Sequence, residues 1–241
     1  MSASANAPAE ARAGLSKVYV WQWPIRVIHW TIVLSIALLA FTGIYIGHPF
    51  LTSAGEPRAA FTMGWMRTLH FYGAIAFTCA FVARVVFLFT GNQYARIGQL
   101  LSLSKERREG FLPTLAFYLW LRKKPPAYVG HNPMAGGAYL AIFGLFALEI
   151  LTGLTLYGAS AGATWTAPFA RIAVWVGGLM IVRWVHHVIM YLLLGFAIQH
   201  VYSSVLMSSI EGNGTLDSIF TGWKFVDTKH VKDRNVVVAK P

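Results

Sequence analysis

Four apolar runs dominate this chain, and each has the length that crosses a lipid bilayer. They lie near residues 25–47, 64–90, 134–157 and 177–207, and about 20 apolar residues are enough for a membrane-spanning helix. The chain of 241 residues is 56% hydrophobic, with a mean hydropathy of +0.53. We therefore predict an all-α integral membrane protein whose fold is a four-helix bundle.

The segments outside these runs are expected in water or at the membrane surface. Residues 1–17 are small and polar, without the charged start and cleavage site of a signal peptide, so we interpret them as a flexible N-terminal tail. The membrane domain then covers 18–210, and 211–241 is a C-terminal tail. The apolar run 111–121 is too short to span, which favours a position at the interface.

The distribution of basic residues predicts which side of the membrane is cytoplasmic. The chain carries 20 Lys and Arg against 9 Asp and Glu, a formal net charge of +11. Four spans place both termini and the loop 91–133 on one side, and the basic residues lie on that side or at the nearest span ends, except Arg58, Arg67, Arg171 and Arg183. Positive charge accumulates on the cytoplasmic side of membranes, so we predict cytoplasmic termini. This explanation argues against nucleic acid as a partner and leaves contact with anionic membrane lipid open.

Cysteine usage excludes several kinds of site. Cys79 is the only cysteine, it lies inside an apolar run, and the sequence contains no C-x-x-C-H. Disulfides, cysteine-rich metal sites and covalently attached c-type haem are therefore excluded. Any haem would be held by non-covalent contacts.

Four histidines lie inside the predicted spans at matching depths. His29, near the start of the first span, is level with His200, near the end of the fourth. His70, near the start of the second span, is level with His186, near the start of the fourth. An α-helix turns about 100° per residue, so His186 and His200 point to the same face, whereas His187 and His200 point apart. Ionisable side chains inside a membrane are costly and usually functional.

Two cross-helix histidine pairs are what two haems b with bis-histidine ligation would need. Neutral imidazole binds haem iron axially, and the interior of a bundle provides an apolar slot for the porphyrin. We therefore predict that these four histidines are the iron ligands. A single histidine near a span end is more often an interfacial or hydrogen-bonded residue, and the agreement of four in depth and face is what favours ligation. The weaker candidates are His48, His131, His187 and His230.

Short motifs in a fixed order resemble those of a known family. They are VYVWQWPIRVIHW, GWMRTLHF, GNQYAR, YVGHNPMA, LTGLTLYG and SIFTGWKF, and they run from about Val18 to Phe225. The chain resembles the b-type cytochrome subunit of membrane-bound nickel–iron hydrogenases, a bacterial di-haem cytochrome b. The wider group includes the cytochrome b subunits of formate dehydrogenases and thiosulfate reductases. By position, the ligand histidines of the family fall on the same four histidines that depth and rotation select.

The resemblance implies a function in electron transfer. It implies an anchor in the cell inner membrane with two haems b in the bundle core, which takes electrons from the iron–sulfur small subunit of a periplasmic-facing hydrogenase and passes them to quinone. The partners would be the small and large hydrogenase subunits, and nothing in this chain resembles a nickel site of four cysteines. Two alternatives stay open: the anchor of a formate dehydrogenase or thiosulfate reductase, and a haem-free transporter or scaffold.

Charged residues near the predicted ligands keep two interpretations each. Arg26, Arg67 and Arg183 could pair with haem propionates, or they could extend to lipid head groups. The resemblance also shows that Arg183 stands where the family usually has a histidine, three residues before the ligand. Glu149, the acidic residue well inside a predicted span, could be a proton or quinone group, or a neutral acid hydrogen-bonded to a neighbouring helix.

Two polar motifs also stay open. Thr-Gly recurs in FTGIYIG and LTGLTLYG, at the ends of the first and third spans. The recurrence fits an internal duplication, and it equally fits close helix packing, where small residues are common. In GHNP at 130–133, Asn132 and Pro133 have the chemistry of a helix start, which we favour over a loop that covers a haem or a quinone.

Overall fold

The computed structural model describes residues 15–50, 61–101, 108–119, 121–123, 133–161 and 164–227. The elements of that part are, in chain order, β1 (Leu15–Tyr19), α1 (Trp23–Gly47), α2 (Thr62–Thr90), α3 (Ile97–Leu100), α4 (Phe111–Tyr118), α5 (Pro133–Ala161), a 3-10 turn (Thr164–Thr166), α6 (Ala167–Trp175), α7 (Leu179–Glu211), α8 (Thr215–Thr221) and β2 (Trp223–Asp227).

Four of these helices are long and apolar enough to cross a membrane. They are α1, α2, α5 and α7, with 25, 29, 29 and 33 residues, and their apolar windows have a mean hydropathy between 1.7 and 2.1. The prediction of a helical membrane protein with four long apolar helices is confirmed. The helices α5 and α7 end at Ala161 and Glu211, each four residues beyond the predicted ends at 157 and 207.

Large apolar side chains are exposed along all four long helices. Examples are Leu34 of α1, Ile75 of α2, Leu148 of α5 and Ile198 of α7. In water such exposure would be unfavourable, but lipid tails are as apolar as these side chains. Each helix also satisfies its own backbone hydrogen bonds, which hydrocarbon requires. The exposed apolar side chains and the helical backbone are therefore both what a protein surrounded by lipid hydrocarbon requires.

A two-stranded antiparallel ribbon joins distant parts of the chain. Leu15 lies opposite Asp227, and Tyr19 lies opposite Trp223. The sequence analysis predicted no strand in either segment. Its division of the chain into a domain and two tails stays a prediction.

A small apolar core and hydrogen bonds from the loop after α2 hold the ribbon. Val18, Val20 and Val226 are buried together. The side-chain amide of Asn92 donates to the carbonyl of Val20 (2.8 Å), and its backbone N–H donates to the side-chain oxygen of Gln22 (3.1 Å). Asn92 belongs to the GNQYAR motif, so this motif anchors the segment that leads into α1.

A buried ion pair links the end of α7 to β2. The Nζ atom of Lys224 lies 3.6 Å from Oε2 of Glu211, and the two side chains are only 7% and 17% exposed. Burial lowers the pKa of the Lys224 ammonium, and the neighbouring Glu211 carboxylate opposes that shift. Removal of Glu211 would therefore leave a buried cation without its counter-charge.

The chain divides into two compact units. The first comprises Met1–Val27, Arg84–Ile142 and Ala197–Pro241, and the second comprises Ile28–Ala83 and Phe143–Phe196. Each of the four long helices contributes residues to both units.

Inside the second unit, α2 and α5 pack through aromatic rings. Phe77 and Phe146 meet edge to face with ring centroids 5.0 Å apart, and Phe81 and Phe143 do the same at 5.8 Å. Edge-to-face pairs are the favourable geometry for aromatic rings. These contacts lie about two and three turns along α2 from His70, and they help to set the position of that helix.

Candidate functional site

His70 of α2 forms a hydrogen-bonded pair with Thr42 of α1 in the second unit. Its Nδ1 atom lies 2.9 Å from Oγ1 of Thr42. The threonine is fully buried, and the imidazole is partly buried. The same hydroxyl donates to the carbonyl oxygen of Leu38, 2.7 Å away and one turn earlier in α1. The imidazole of α2 is therefore held by a polar group of α1.

His186 of α7 makes the same kind of contact with Thr152 of α5. Its Nδ1 atom lies 2.8 Å from Oγ1 of Thr152. The hydroxyl again donates to a carbonyl one turn earlier, that of Leu148, at 2.8 Å. Two histidines on two helices are thus held by two threonines on two other helices, with nearly identical distances.

The predicted pair His70 and His186 lies in one region of the second unit. A Cβ atom at Gly43 would stand 3.3 Å from Cε1 of His70 and 3.8 Å from Sδ of Met190, which follows His186 by one turn of α7. The imidazoles of His70 and His186 are also close enough to interact electrostatically, as are those of His70 and His187. The structure therefore brings these two residues of α2 and α7 together, while their role as iron ligands stays a prediction.

The other predicted pair is divided between the two units. His200 lies in the first unit, where its Nδ1 atom is 3.0 Å from the hydroxyl oxygen of Tyr139 in α5. His29 lies in the second unit, where its ring meets Trp30 edge on, with centroids 5.3 Å apart. The pairing of His29 with His200 stays a prediction.

His187 points to a different helix from its neighbour. A Cβ atom at Gly47 of α1 would stand only 2.6 Å from Nε2 of His187. The Nδ1–H of His187 donates to the carbonyl of Arg183, 2.8 Å away and one turn earlier. His186 contacts α5 and His187 contacts α1, as a rotation of about 100° between successive residues requires.

The three arginines predicted to bind propionates have different surroundings. Arg26 lies in the first unit, where its Nη1 donates to the carbonyl of Phe220, and its buried Nε has no hydrogen-bond partner among the residues that the structure describes. The side chains of Arg67 and Arg183 are exposed. A buried donor such as Nε of Arg26 is suited to an anionic acceptor. The assignment of all three to propionates stays a prediction.

Glu149 lies beside the His186 contact. Its Oε2 atom is 3.4 Å from Nδ1 of His186, and both side chains are 17% exposed. The oxygen is buried and makes no hydrogen bond within the described part of the chain. A contact with a histidine of a neighbouring helix fits both interpretations that the sequence left open, so the role of Glu149 stays a prediction. The predictions for His131, Asn132 and His230 fall outside the described residues.

The donor chemistry fits haem iron. His70, His186 and His200 each have Nδ1 within hydrogen-bond distance of a hydroxyl. At His70 and His186, Nε2 is then the ring nitrogen left for a metal. Histidines that bind metals usually engage their other ring nitrogen in this way. The surrounding helices are apolar, which suits a porphyrin.

Sequence reasoning did not assign these hydroxyl groups to the site. The recurrence of Thr-Gly was visible, and the structure shows that Thr42 and Thr152 are the threonines of these two dipeptides. Tyr139 carried no distinguishing pattern, because tyrosines are common near both ends of membrane helices.

Comparison with known proteins identifies the family. The family model for prokaryotic cytochrome b561 matches residues 20–222. The chain is 32% identical over 214 residues to the probable Ni/Fe-hydrogenase 1 B-type cytochrome subunit of Escherichia coli, a match that covers 86% of this chain and 90% of that protein. It is also 32% identical over 226 residues to the probable Ni/Fe-hydrogenase B-type cytochrome subunit of Bradyrhizobium diazoefficiens, covering 91% and 90%. A third relative, from Cupriavidus necator and with the same description, is 32% identical over 216 residues, covering 87% and 88%. The chain therefore belongs to the prokaryotic cytochrome b561 family, and it is a multi-pass membrane protein that binds haem b and transfers electrons.

Proposed function

We propose that this chain is the di-haem b anchor of a nickel–iron hydrogenase, which accepts electrons from the iron–sulfur small subunit and passes them to membrane quinone. The descriptions of the relatives support the hydrogenase as partner. The observation that carries the proposal is the pair of hydroxyl-held imidazoles, His70 and His186, on two membrane helices. Such an arrangement suits axial ligands of a haem rather than scattered structural histidines.

Each pair of histidines would hold one haem. His70 and His186 would bind the first, and His29 and His200 the second. When bound, haem iron supplies reversible one-electron transfer. The chain itself contributes the imidazoles, their hydrogen-bond partners and apolar helices that keep water away. Two stations at different depths would allow electrons to cross the membrane.

The arginines would balance the charge of the propionates. Arg26 offers a buried Nε donor in the unit that contains His200, so we assign it to the second haem. Arg67 and Arg183, each three residues before a ligand on its helix, are assigned to the first. A guanidinium pairs with a carboxylate through directed, charge-assisted hydrogen bonds.

The basic surplus supports a location in the cell inner membrane with cytoplasmic termini. The side that bears His70 and His186 would then be periplasmic, and the small and large hydrogenase subunits would bind there. Quinone and membrane lipid are the remaining partners, and nucleic acid is not one. The hydrogen-activating nickel site would lie in the partner, because the chain has one cysteine.

Hydrogen-driven haem reduction tests this function. In membranes that contain the intact complex, hydrogen should reduce the haems, which is seen as the appearance of the reduced b-type absorption bands. Added oxidised quinone should reverse this change. The control is a strain without the large subunit, in which the bands persist but stop responding to hydrogen. The hydrogenase assignment would be contradicted if formate instead of hydrogen reduced the haems, or if hydrogen did not change the absorption bands in the intact complex.

One residue of this chain supports the alternative proposal, in which the partner is a different enzyme. Arg183, at a position where a histidine was expected, has an exposed side chain. A changed residue on the side assigned to the partner fits a different periplasmic enzyme, such as a formate dehydrogenase or a thiosulfate reductase. Co-purification from membranes separates the two cases, because hydrogenase subunits should copurify with this chain only in the first. The haem-free transporter or scaffold that the sequence left open is excluded, because the chain belongs to a family of haem-binding cytochromes.

A further inference from the structure

The two Thr-Gly dipeptides make the same contact with two different histidines. In α1, Thr42 contacts Nδ1 of His70, and in α5, Thr152 contacts Nδ1 of His186. The distances are 2.9 and 2.8 Å. Close packing alone does not require a threonine before each glycine, so the shared contact gives the recurrence a chemical reason.

The direction of each hydrogen bond follows from counting protons. A threonine hydroxyl has one proton, and its oxygen also accepts. The hydroxyls of Thr42 and Thr152 lie 2.7 and 2.8 Å from carbonyl oxygens one turn earlier, and carbonyls only accept. The hydroxyl proton is therefore donated to the carbonyl, and the oxygen accepts from Nδ1–H of the histidine. Each imidazole is thereby held in the tautomer whose Nε2 carries a lone pair.

The glycine of each dipeptide lies against the edge of the imidazole. A Cβ atom at Gly43 would stand 3.3 Å from Cε1 of His70, and one at Gly153 would stand 3.4 Å from Cε1 of His186. The spacing at Gly43 is tight for a methyl group, and the one at Gly153 is at the lower limit of ordinary van der Waals contact. In both cases the edge of the ring lies against a Thr-Gly backbone, with the hydroxyl at one atom and the glycine at the next.

Glu149 is the competing acceptor at His186. Its Oε2 atom is 3.4 Å from Nδ1, against 2.8 Å for the hydroxyl of Thr152. The shorter contact has the normal distance of a hydrogen bond, and the carboxylate contact is at its limit. Among the side chains, Thr152 is therefore the acceptor. The backbone carbonyls of Glu149 and Leu39 also lie within hydrogen-bonding reach of His186 and His70, so the correspondence with Thr42 holds.

We infer that Thr42 and Thr152 are matched positioning residues, each fixing the tautomer and orientation of one histidine so that its Nε2 is available to haem iron. This inference rests on the proposed function, in which His70 and His186 share a haem. A hydrogen bond from Nδ1–H raises the basicity of the ligand and so stabilises the oxidised iron. The two threonines together should therefore lower the reduction potential of that haem.

Isosteric substitutions test the inference. Thr42→Val and Thr152→Val remove the hydroxyl with little change in shape. Thr42→Ser and Thr152→Ser retain the hydroxyl and remove only the methyl group. The matched control is Thr155→Val, because Thr155 is fully buried in α5, donates to the carbonyl of Leu151 (2.8 Å) and makes no hydrogen bond to a histidine in the described part of the chain. The readouts are redox titration and the low-spin ferric electron paramagnetic resonance signal of the purified chain.

Each valine variant should raise the reduction potential of the haem that His70 and His186 share, and should shift the low-spin signal of that haem. The serine variants and Thr155→Val should keep the wild-type values. If a valine variant loses that haem instead, retention by the matching serine variant supports the inference, and loss in both overturns it. Wild-type potentials and signals in both valine variants also overturn it, as does an equal shift in Thr155→Val. Absence of haem from the wild-type chain would instead contradict the proposed function.

Discussion

Replacing His186 by alanine should remove one of the two proposed haems from the purified chain, whereas replacing His187 by alanine should leave both. The first substitution deletes the imidazole that Thr152 holds. The second deletes a ring that faces Gly47 and is bonded to its own helix at Arg183. Haem released as pyridine haemochrome, divided by the amount of chain, measures the difference.

His70→Ala should match His186→Ala in the amount of haem lost, because the two residues are proposed to bind the same iron. His48→Ala is the surface control, since His48 is exposed just beyond the end of α1. Circular dichroism of each variant distinguishes haem loss from loss of helical structure. Loss of haem in His187→Ala together with retention in His186→Ala would contradict the assignment on α7.

The four helices could be predicted because each depends on a local property of the sequence. An apolar run of sufficient length has few alternatives in a bilayer, where backbone hydrogen bonds must be satisfied within the segment. Helical rotation is local too, so the sequence separated His186 from His187. The structure places these two imidazoles against different helices, Thr152 of α5 and Gly47 of α1.

The hydroxyl partners of the histidines depend on how separate helices pack, and no local pattern contains that information. Thr42 precedes His70 by 28 residues, and Thr152 precedes His186 by 34. Only the rotation of α1 against α2, and of α5 against α7, brings each pair within hydrogen-bond distance. The recurrence of Thr-Gly was visible in the sequence, but its meaning required the packing.

The ribbon was not predicted for a similar reason. Its strands, LSKVY and WKFVD, have five residues each and are separated by most of the chain. Short strands with mixed polar and apolar residues are weak signals. Their pairing is stabilised by partners from elsewhere, such as Asn92 at the carbonyl of Val20. The motif SIFTGWKF, noticed only for its resemblance, contains the turn that enters β2.

Replacing Gly222 by alanine should open this ribbon. Gly222 has φ of +87°, which an alanine adopts only at a cost of about 1 kcal/mol. Its Cβ would also stand 2.7 Å from the carbonyl oxygen of Trp21 and 2.4 Å from Cε2 of Tyr19. Relief of such overlap requires a backbone shift and costs about 1–3 kcal/mol. The N–H groups of Val20 and Trp21 donate to the carbonyl of Gly222 (2.9 and 3.1 Å), so their bonds would be lost first.

Amide hydrogen exchange at Val20 and Trp21 measures this opening. A total cost of at least about 2 kcal/mol corresponds to exchange on the order of 30-fold faster. Gly212→Ala is the matched control, because Gly212 also has a positive φ (+59°) but a Cβ there would meet no atom within 4 Å. The control carries the conformational cost without the overlap, so its exchange should rise by only about fivefold, as about 1 kcal/mol predicts. Equal acceleration in the two variants would show that the contacts with Tyr19 and Trp21 do not hold the ribbon, and that the left-handed backbone alone requires glycine.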